Sequence, residues 1–281
     1  MKIGIVGAGV MGSGVAQRFA AYDNEIVMLD IDEAAFKSCR QNIKNTVRMM
    51  NFMKMTEEKI DFNAIMEKIS FSIDYSIFTD CDIIIENVVE NVDVKKGVYE
   101  TLEKVCKEDC IYLVNTSCIS ITKIGSYTSR ADKVIGTHFM NPVPMKRACE
   151  VIVGHYTSEN TIEKLKELLN TVEITPIIVK DMPGFVSNRI SHLLMNEAAM
   201  VVQDGVASPE DVDNIFKMCF EHKMGPLETA DLIGIDTVVD SLDVLYESYH
   251  DSKFRVAPIM RKMVDAKLLG RKSGEGFYKY F

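Results

Sequence analysis

Gly7-Ala8-Gly9-Val10-Met11-Gly12 spaces its glycines as GxGxxG, a pattern suited to holding a pyrophosphate. The first glycine permits a tight turn, and the second lets the backbone approach phosphate oxygens. The third lets a helix pack closely on the preceding strand. The apolar run that begins at Ile3 reads as that strand, and residues 11–20 read as the helix. Phosphates beside Gly9, Val10 and Met11 would meet unpaired N–H groups and the positive end of the helix dipole. Asp30 closes the second apolar run, 18 positions beyond Gly12, where an acid binds the adenosine ribose hydroxyls. A carboxylate there repels a 2′-phosphate, and Ile31-Asp32 offers no arginine to receive one. The expected cofactor is therefore NAD rather than NADP. A second candidate is His138, just past Val134-Ile135-Gly136. Its unperturbed pKa of about 6.5 lets an imidazole take up and return a proton near neutrality.

These residues need a scaffold, and the chain supplies one. Short apolar runs rich in β-branched residues cover 3–6, 25–29, 83–85, 111–114, 134–136 and 174–179. They read as strands of a parallel sheet covered on both faces. A long helical segment, 33–68, broken near Thr56, lies between the second and third runs. Strands alternating with helices predict an α/β fold with a Rossmann-like doubly wound sheet, and His138 would fall at its C-terminal edge. After Asp181-Met182-Pro183-Gly184 the pattern turns helical, over 185–203, 209–221, 236–249 and 256–268. Gly205, Gly225-Pro226, Gly234 and Gly270 punctuate these stretches, and Ser208-Pro209-Glu210 supplies an N-cap followed by proline. The expected division is an NAD-binding domain over 1–182 and an all-α domain over 183–281.

Composition narrows the function classes. The 281 residues are 47% hydrophobic with a formal charge of -9, enough for a sizeable core and unfavourable to general nucleic-acid or membrane binding. No apolar run reaches the roughly 20 residues needed to cross a bilayer. The opening Met1 to Gly7 turns glycine-rich too early for a signal peptide, so a cytoplasmic protein is expected. Seven cysteines without a CxxC pair read as free thiols, and the five scattered histidines give no reason to expect a metal.

Several separated blocks, in order, resemble the L-3-hydroxyacyl-CoA dehydrogenase family. They are Glu90-Asn91 with Lys95, Asn115-Thr116-Ser117, and His138-Phe139-Met140-Asn141-Pro142 followed by Glu150-Val151. Further on come Pro183-Gly184-Phe185-Val186-Ser187-Asn188-Arg189, Gly225-Pro226-Leu227, and the closing Leu269-Gly270-Arg271-Lys272-Ser273-Gly274-Glu275-Gly276-Phe277-Tyr278. The resemblance spans essentially the whole chain. It implies NAD-dependent interconversion of an L-3-hydroxyacyl-CoA, such as 3-hydroxybutyryl-CoA, and the 3-ketoacyl-CoA, a step of fatty acid metabolism. It implies His138 as general acid and base, Glu150 as the carboxylate that orients it, and Ser117 and Asn188 as donors to the reacting oxygen. Asn141 would position the substrate or nicotinamide side. Glu90, Lys95 and Asn115 would line the cofactor pocket, and Arg48 and Lys54 would serve the CoA. A homodimer through the C-terminal helices is implied as well.

Two departures widen the substrate question. Met145-Lys146-Arg147-Ala148-Cys149-Glu150 alters the expected wall of the acyl pocket. The helical stretch that is lysine-rich in relatives reads Arg48-Met49-Met50-Asn51-Phe52-Met53-Lys54-Met55, with only two cations to meet a phosphate. The alternative substrate is therefore a 3-hydroxyacyl thioester tethered to a carrier protein, for example a glyceryl group. A reading from another class is a catalytically silent NAD-binding protein on the same scaffold, which need not keep both His138 and Glu150.

Overall fold

The computed structural model describes residues 1–281, which divide into two units, Met1–Asp181 and Met182–Phe281. The first unit runs β1 (Lys2–Val6), α1 (Val10–Ala20), β2 (Glu25–Leu29), α2 (Glu33–Phe52), α3 (Phe62–Glu67) and β3 (Ile69–Ser72). It continues with β4 (Ile83–Glu86), α4 (Val92–Val105), β5 (Ile111–Asn115), α5 (Ile121–Gly125), β6 (Val134–His138), β7 (Ala148–Val153), α6 (Glu159–Thr171) and β8 (Thr175–Lys180). The strands form one sheet in the order β3-β2-β1-β4-β5-β6-β7-β8. Neighbours pair in parallel except β6 and β7, which are antiparallel.

The period-2 pattern of the strands explains how the sheet is buried. Ile3, Ile5, Ile26, Met28, Ile83, Ile85, Ile111 and Leu113 share one core with Val15 and Phe19 of α1, Cys39 and Ile43 of α2, and Leu165 and Leu169 of α6. The intervening Val27, Leu29, Ile84, Tyr112 and Val114 are buried too, because alternate side chains point to the opposite face. Each such side chain contributes about 1.5–3 kcal/mol on burial. Helix starts are set by side-chain caps. Asp32 accepts from the Ala34 amide, Asn91 from those of Asp93 and Val94, and Ser158 from that of Thr161. The helical segment expected over 33–68 breaks as anticipated. The α2 helix ends at Phe52, Lys54 takes a left-handed backbone conformation, and Asn51 pins the intervening loop through both backbone groups of Ile60.

Two strands lie outside the sequence expectation. In β3, Ile-Ser-Phe-Ser is short, half polar and at the sheet edge, so it lacks the continuous apolar run of a central strand. In β7, Ala-Cys-Glu-Val-Ile-Val carries an acid within a buried strand, a polarity that hides it from a hydrophobicity reading. A carboxylate is tolerated there only with a partner.

The second unit is helical: α7 (Ser187–Gln203), α8 (Pro209–Cys219), α9 (Pro226–Ile233), α10 (Ile235–Tyr249) and α11 (Pro258–Asp265). Met195, Ala199, Leu227, Ala230, Val238, Leu242 and Met260 form its core. The α9 helix starts at Gly225-Pro226, a pair the sequence presents as a break, because proline is at home in a first turn. Two buried aspartates organise the unit. Asp213 accepts from the Leu227 and Glu228 amides, each at 2.8 Å, and so caps α9 from outside. A Cβ at Gly225 would lie 2.2 Å from the Asp213 carboxyl carbon. Asp231 accepts from the Phe277 and Tyr278 amides at 3.0 Å and from the Tyr280 hydroxyl at 2.9 Å, which fastens the C-terminal segment to α9. No helix is long and apolar enough to cross a membrane.

Asp231→Ala would leave those donors without their acceptor inside the unit. Urea unfolding followed by circular dichroism should show the second unit weakened by about 2–4 kcal/mol. An unchanged transition would contradict this role.

Candidate active site

The glycine loop sits where the strand order reverses, between β1 and β4. Gly7 has φ 95°, and a Cβ there would lie 2.6 Å from the Asn87 carbonyl oxygen at the end of β4. A Cβ on Gly12 would lie 1.8 Å from the Gly7 carbonyl oxygen, so α1 can approach its strand only with glycine at that point. Gly9 differs, because a Cβ there would meet no atom within 4 Å. The space before it is the cradle a pyrophosphate needs, facing the first turn of α1 that begins at Val10. Val10 is exposed, whereas the Met11 side chain packs on the core.

Asp30, past the end of β2, accepts from the Ala8 amide at 2.7 Å and so holds the glycine loop as well as facing the cavity beside it. That cavity, about 270 Å³, is lined by Gly7, Gly9, Asp30, Ile31, Tyr75 and Val94 among others. An apolar slot lined by one carboxylate suits an adenosine, so the residues present fit NAD. Sequence reasoning missed Tyr75 and Val94. They follow a polar edge strand and a loop, where spacing carries no signal.

The catalytic candidates come from three neighbouring elements. His138 ends β6, and the antiparallel register places Glu150 of β7 directly opposite it. His138 Nδ1 lies 2.9 Å from Glu150 Oε2, and each residue is only 6% exposed. Its other nitrogen, Nε2, lies 3.2 Å from Ser117 Oγ, in the loop that leaves β5. With the proton on Nδ1 donated to Glu150, Nε2 is the basic nitrogen and accepts from the Ser117 hydroxyl. Such a hydrogen-bonded chain of hydroxyl, imidazole and carboxylate can move a proton at Nε2 and steady the charged ring.

Glu90 organises the loop that presents Ser117. Its Oε1 accepts from the Ser117 amide at 2.8 Å, from the Cys118 amide at 3.1 Å and from the Thr116 hydroxyl. Asn115 Nδ2 donates to Asn87 Oδ1 at 2.7 Å, joining the ends of β5 and β4. Lys95 is wholly buried, with its ammonium 2.7 Å from Glu86 Oε1, so it acts from beneath these loops. Glu86 itself escaped the sequence reading, because an acid ending an apolar strand looks like a strand terminus. The remaining sequence candidates are placed by their elements and exposure. Asn141 is exposed beyond β6, Arg48 and Lys54 are exposed at the end of α2 and just past it, and Asn188 is the second residue of α7. Among the described residues, no group of three His, Cys, Asp or Glu side chains is placed to hold a metal ion.

Comparison with known proteins follows the same division of the chain. Residues 2–182 match the family model described as 3-hydroxyacyl-CoA dehydrogenase, NAD binding domain, and residues 184–280 match the C-terminal domain of the same family. A 3-hydroxybutyryl-CoA dehydrogenase of Clostridioides difficile is 41% identical, the match covering 100% of this chain and 99% of the relative. The mouse mitochondrial hydroxyacyl-coenzyme A dehydrogenase is 36% identical, covering 98% and 90%. The crystal structure of the (S)-3-hydroxybutyryl-CoA dehydrogenase of Ralstonia eutropha superposes with a TM-score of 0.93 at 41% identity, covering 100% of this chain and 99% of that one.

The open space before Gly9 yields a direct expectation. Gly9→Val should fold with an unchanged melting temperature, since its Cβ meets nothing, yet lose most NADH affinity in a fluorescence titration. Gly12→Ala should instead lower the melting temperature. Normal NADH binding by Gly9→Val would remove the cradle from the account.

Proposed function

Since the chain belongs to the 3-hydroxyacyl-CoA dehydrogenase family, we propose that it interconverts an L-3-hydroxyacyl-CoA, such as 3-hydroxybutyryl-CoA, and the 3-ketoacyl-CoA, with NAD as cofactor and His138 as general acid and base. The observation that carries this reading is the placement of the His138 ring between Glu150 Oε2 and Ser117 Oγ. Bound NAD supplies the hydride acceptor in oxidation and the hydride donor in reduction. Gly7, Gly9, Val10, Met11 and Gly12 hold its pyrophosphate, and Asp30 its adenosine ribose. Glu90, Lys95 and Asn115 shape the nicotinamide end.

In oxidation His138 Nε2 takes the proton of the 3-hydroxyl while the hydride leaves carbon 3, and the C–O bond becomes a carbonyl. In reduction Nε2 returns the proton. Glu150 holds the Nδ1 proton and steadies the imidazolium that forms. Ser117 donates to the reacting oxygen, an interaction that strengthens as charge develops there. The family resemblance assigns Asn188 a second such donor role, Asn141 a positioning role, and Arg48 and Lys54 the CoA phosphates. By the same resemblance residues 1–182 are the NAD-binding domain and 183–281 the substrate and dimerisation domain of a cytoplasmic homodimer. Exposed Ile215, Met218 and Phe220 support a self-association surface around α8. The relatives named for coenzyme A esters favour free CoA thioesters over carrier-bound ones.

The test follows NADH absorbance with acetoacetyl-CoA. Turnover is expected with NADH and far less with NADPH, because Asp30 repels the extra phosphate. His138→Gln should lower kcat by about 10²–10⁴-fold, the range of general acid–base catalysis. Near-normal turnover by that variant would sink the assignment. Failure on acetoacetyl-CoA, with brisk reaction of the same acyl group on a carrier protein, would move the substrate to the tethered thioester.

A further inference from the structure

The loops that carry Glu90 and Ser117 meet at one buried cation. Lys95 and Glu86 have no exposed surface. The Lys95 ammonium lies 2.7 and 2.8 Å from the two Glu86 oxygens, 3.0 Å from the Asn115 carbonyl oxygen, and 3.7 Å from Glu90 Oε2. Glu86 Oε1 also accepts from the Val88 amide at 2.8 Å, which fixes the carboxylate at the end of β4. Burial pushes the Glu86 carboxyl up, and the Lys95 charge opposes that shift.

The two carboxylates compete for one ammonium. Glu86 holds it closely, and Glu90 stands off at 3.7 Å and spends its other oxygen on the Ser117 and Cys118 amides. A buried ammonium needs a counter-charge. With Glu86 neutral, the nearest carboxylate is Glu90. Lys95 would then draw Glu90 inward, off the Ser117 amide, and would loosen its own hold on the Asn115 carbonyl. Ser117 would lose the loop geometry that keeps its hydroxyl 3.2 Å from His138 Nε2.

We propose that Glu86 is a positioning residue of the dehydrogenase: by holding the Lys95 ammonium away from Glu90, it leaves Glu90 to fix Ser117 opposite His138. The inference rests on the reading of Ser117 as a donor to the reacting oxygen. It assigns Glu86 no contact with substrate or cofactor.

Glu86→Gln keeps the size of the side chain and removes its charge. It is expected to lower kcat for acetoacetyl-CoA reduction by about 10–100-fold, the scale of a small misplacement of catalytic groups. KM should change little, and NADH affinity, read by fluorescence, should fall several-fold. Glu86→Asp keeps the charge on a shorter side chain and still opposes the pull of Lys95 on Glu90, so it should recover much of the lost kcat and NADH affinity. A merely structural Glu86 would lower the melting temperature and leave kcat of the folded enzyme intact, which overturns the proposal. A folded Glu86→Asp that is no better than Glu86→Gln overturns it too. If Glu86→Gln does not fold, Glu86→Asp decides: kcat within a few-fold of the unaltered protein supports the proposal, and a large loss in the folded variant overturns it. Failure of the acyl-CoA reading would show separately, as no turnover by the unaltered protein. The NADH titration then decides alone: weaker binding by Glu86→Gln, recovered in Glu86→Asp, supports the proposal, and unchanged binding overturns it.

Discussion

The antiparallel pairing of β6 with β7 is the constraint on which the site depends. It sets His138 opposite Glu150, and residues directly opposite on adjacent strands present their side chains on the same face of the sheet. A slip of one residue would turn Glu150 to the other face and leave a buried carboxylate without its partner. The register is held on both sides, by parallel pairing of β6 with β5 and of β7 with β8. The same β5–β6 pairing brings the loop after Asn115 beside His138, and that loop carries Ser117. Packing that buries Leu113, Ile135 and Val151 in one core therefore fixes the geometry of the chemistry.

Much of this was legible in the sequence, and the physics says which parts. Strands such as β1, β2, β5 and β6 are apolar because both faces of the sheet are covered, so they announce themselves as continuous runs. The β3 and β7 strands do not, one being a half-polar edge and the other carrying the acid the site needs. Proline obscured α9 for a related reason. A residue that breaks helices from within also starts them, and the choice depends on Asp213, far away in sequence, which caps α9 through the Leu227 and Glu228 amides.

The site divides the same way. GxGxxG and Asp30 are readable because their function depends on local spacing. His138 is readable by residue type and place, but its pairing with Glu150 is a property of strand register and enters the sequence reading only through resemblance. Glu86, Tyr75 and Asp231 are silent in the sequence, since each acts through partners brought near by the fold. Lys95 is marked by its place in the motif, but its pairing with Glu86 and its hold on the Asn115 carbonyl come from the fold alone.

The central claim is that His138 and Glu150 act as one unit across the β6–β7 register. A double-mutant cycle on kcat, comparing His138→Gln, Glu150→Gln and both together, tests it most directly. If the pair is a unit, the double variant is no slower than His138→Gln alone, because Glu150 has nothing left to orient. Losses that multiply would show two independent residues and would contradict the account.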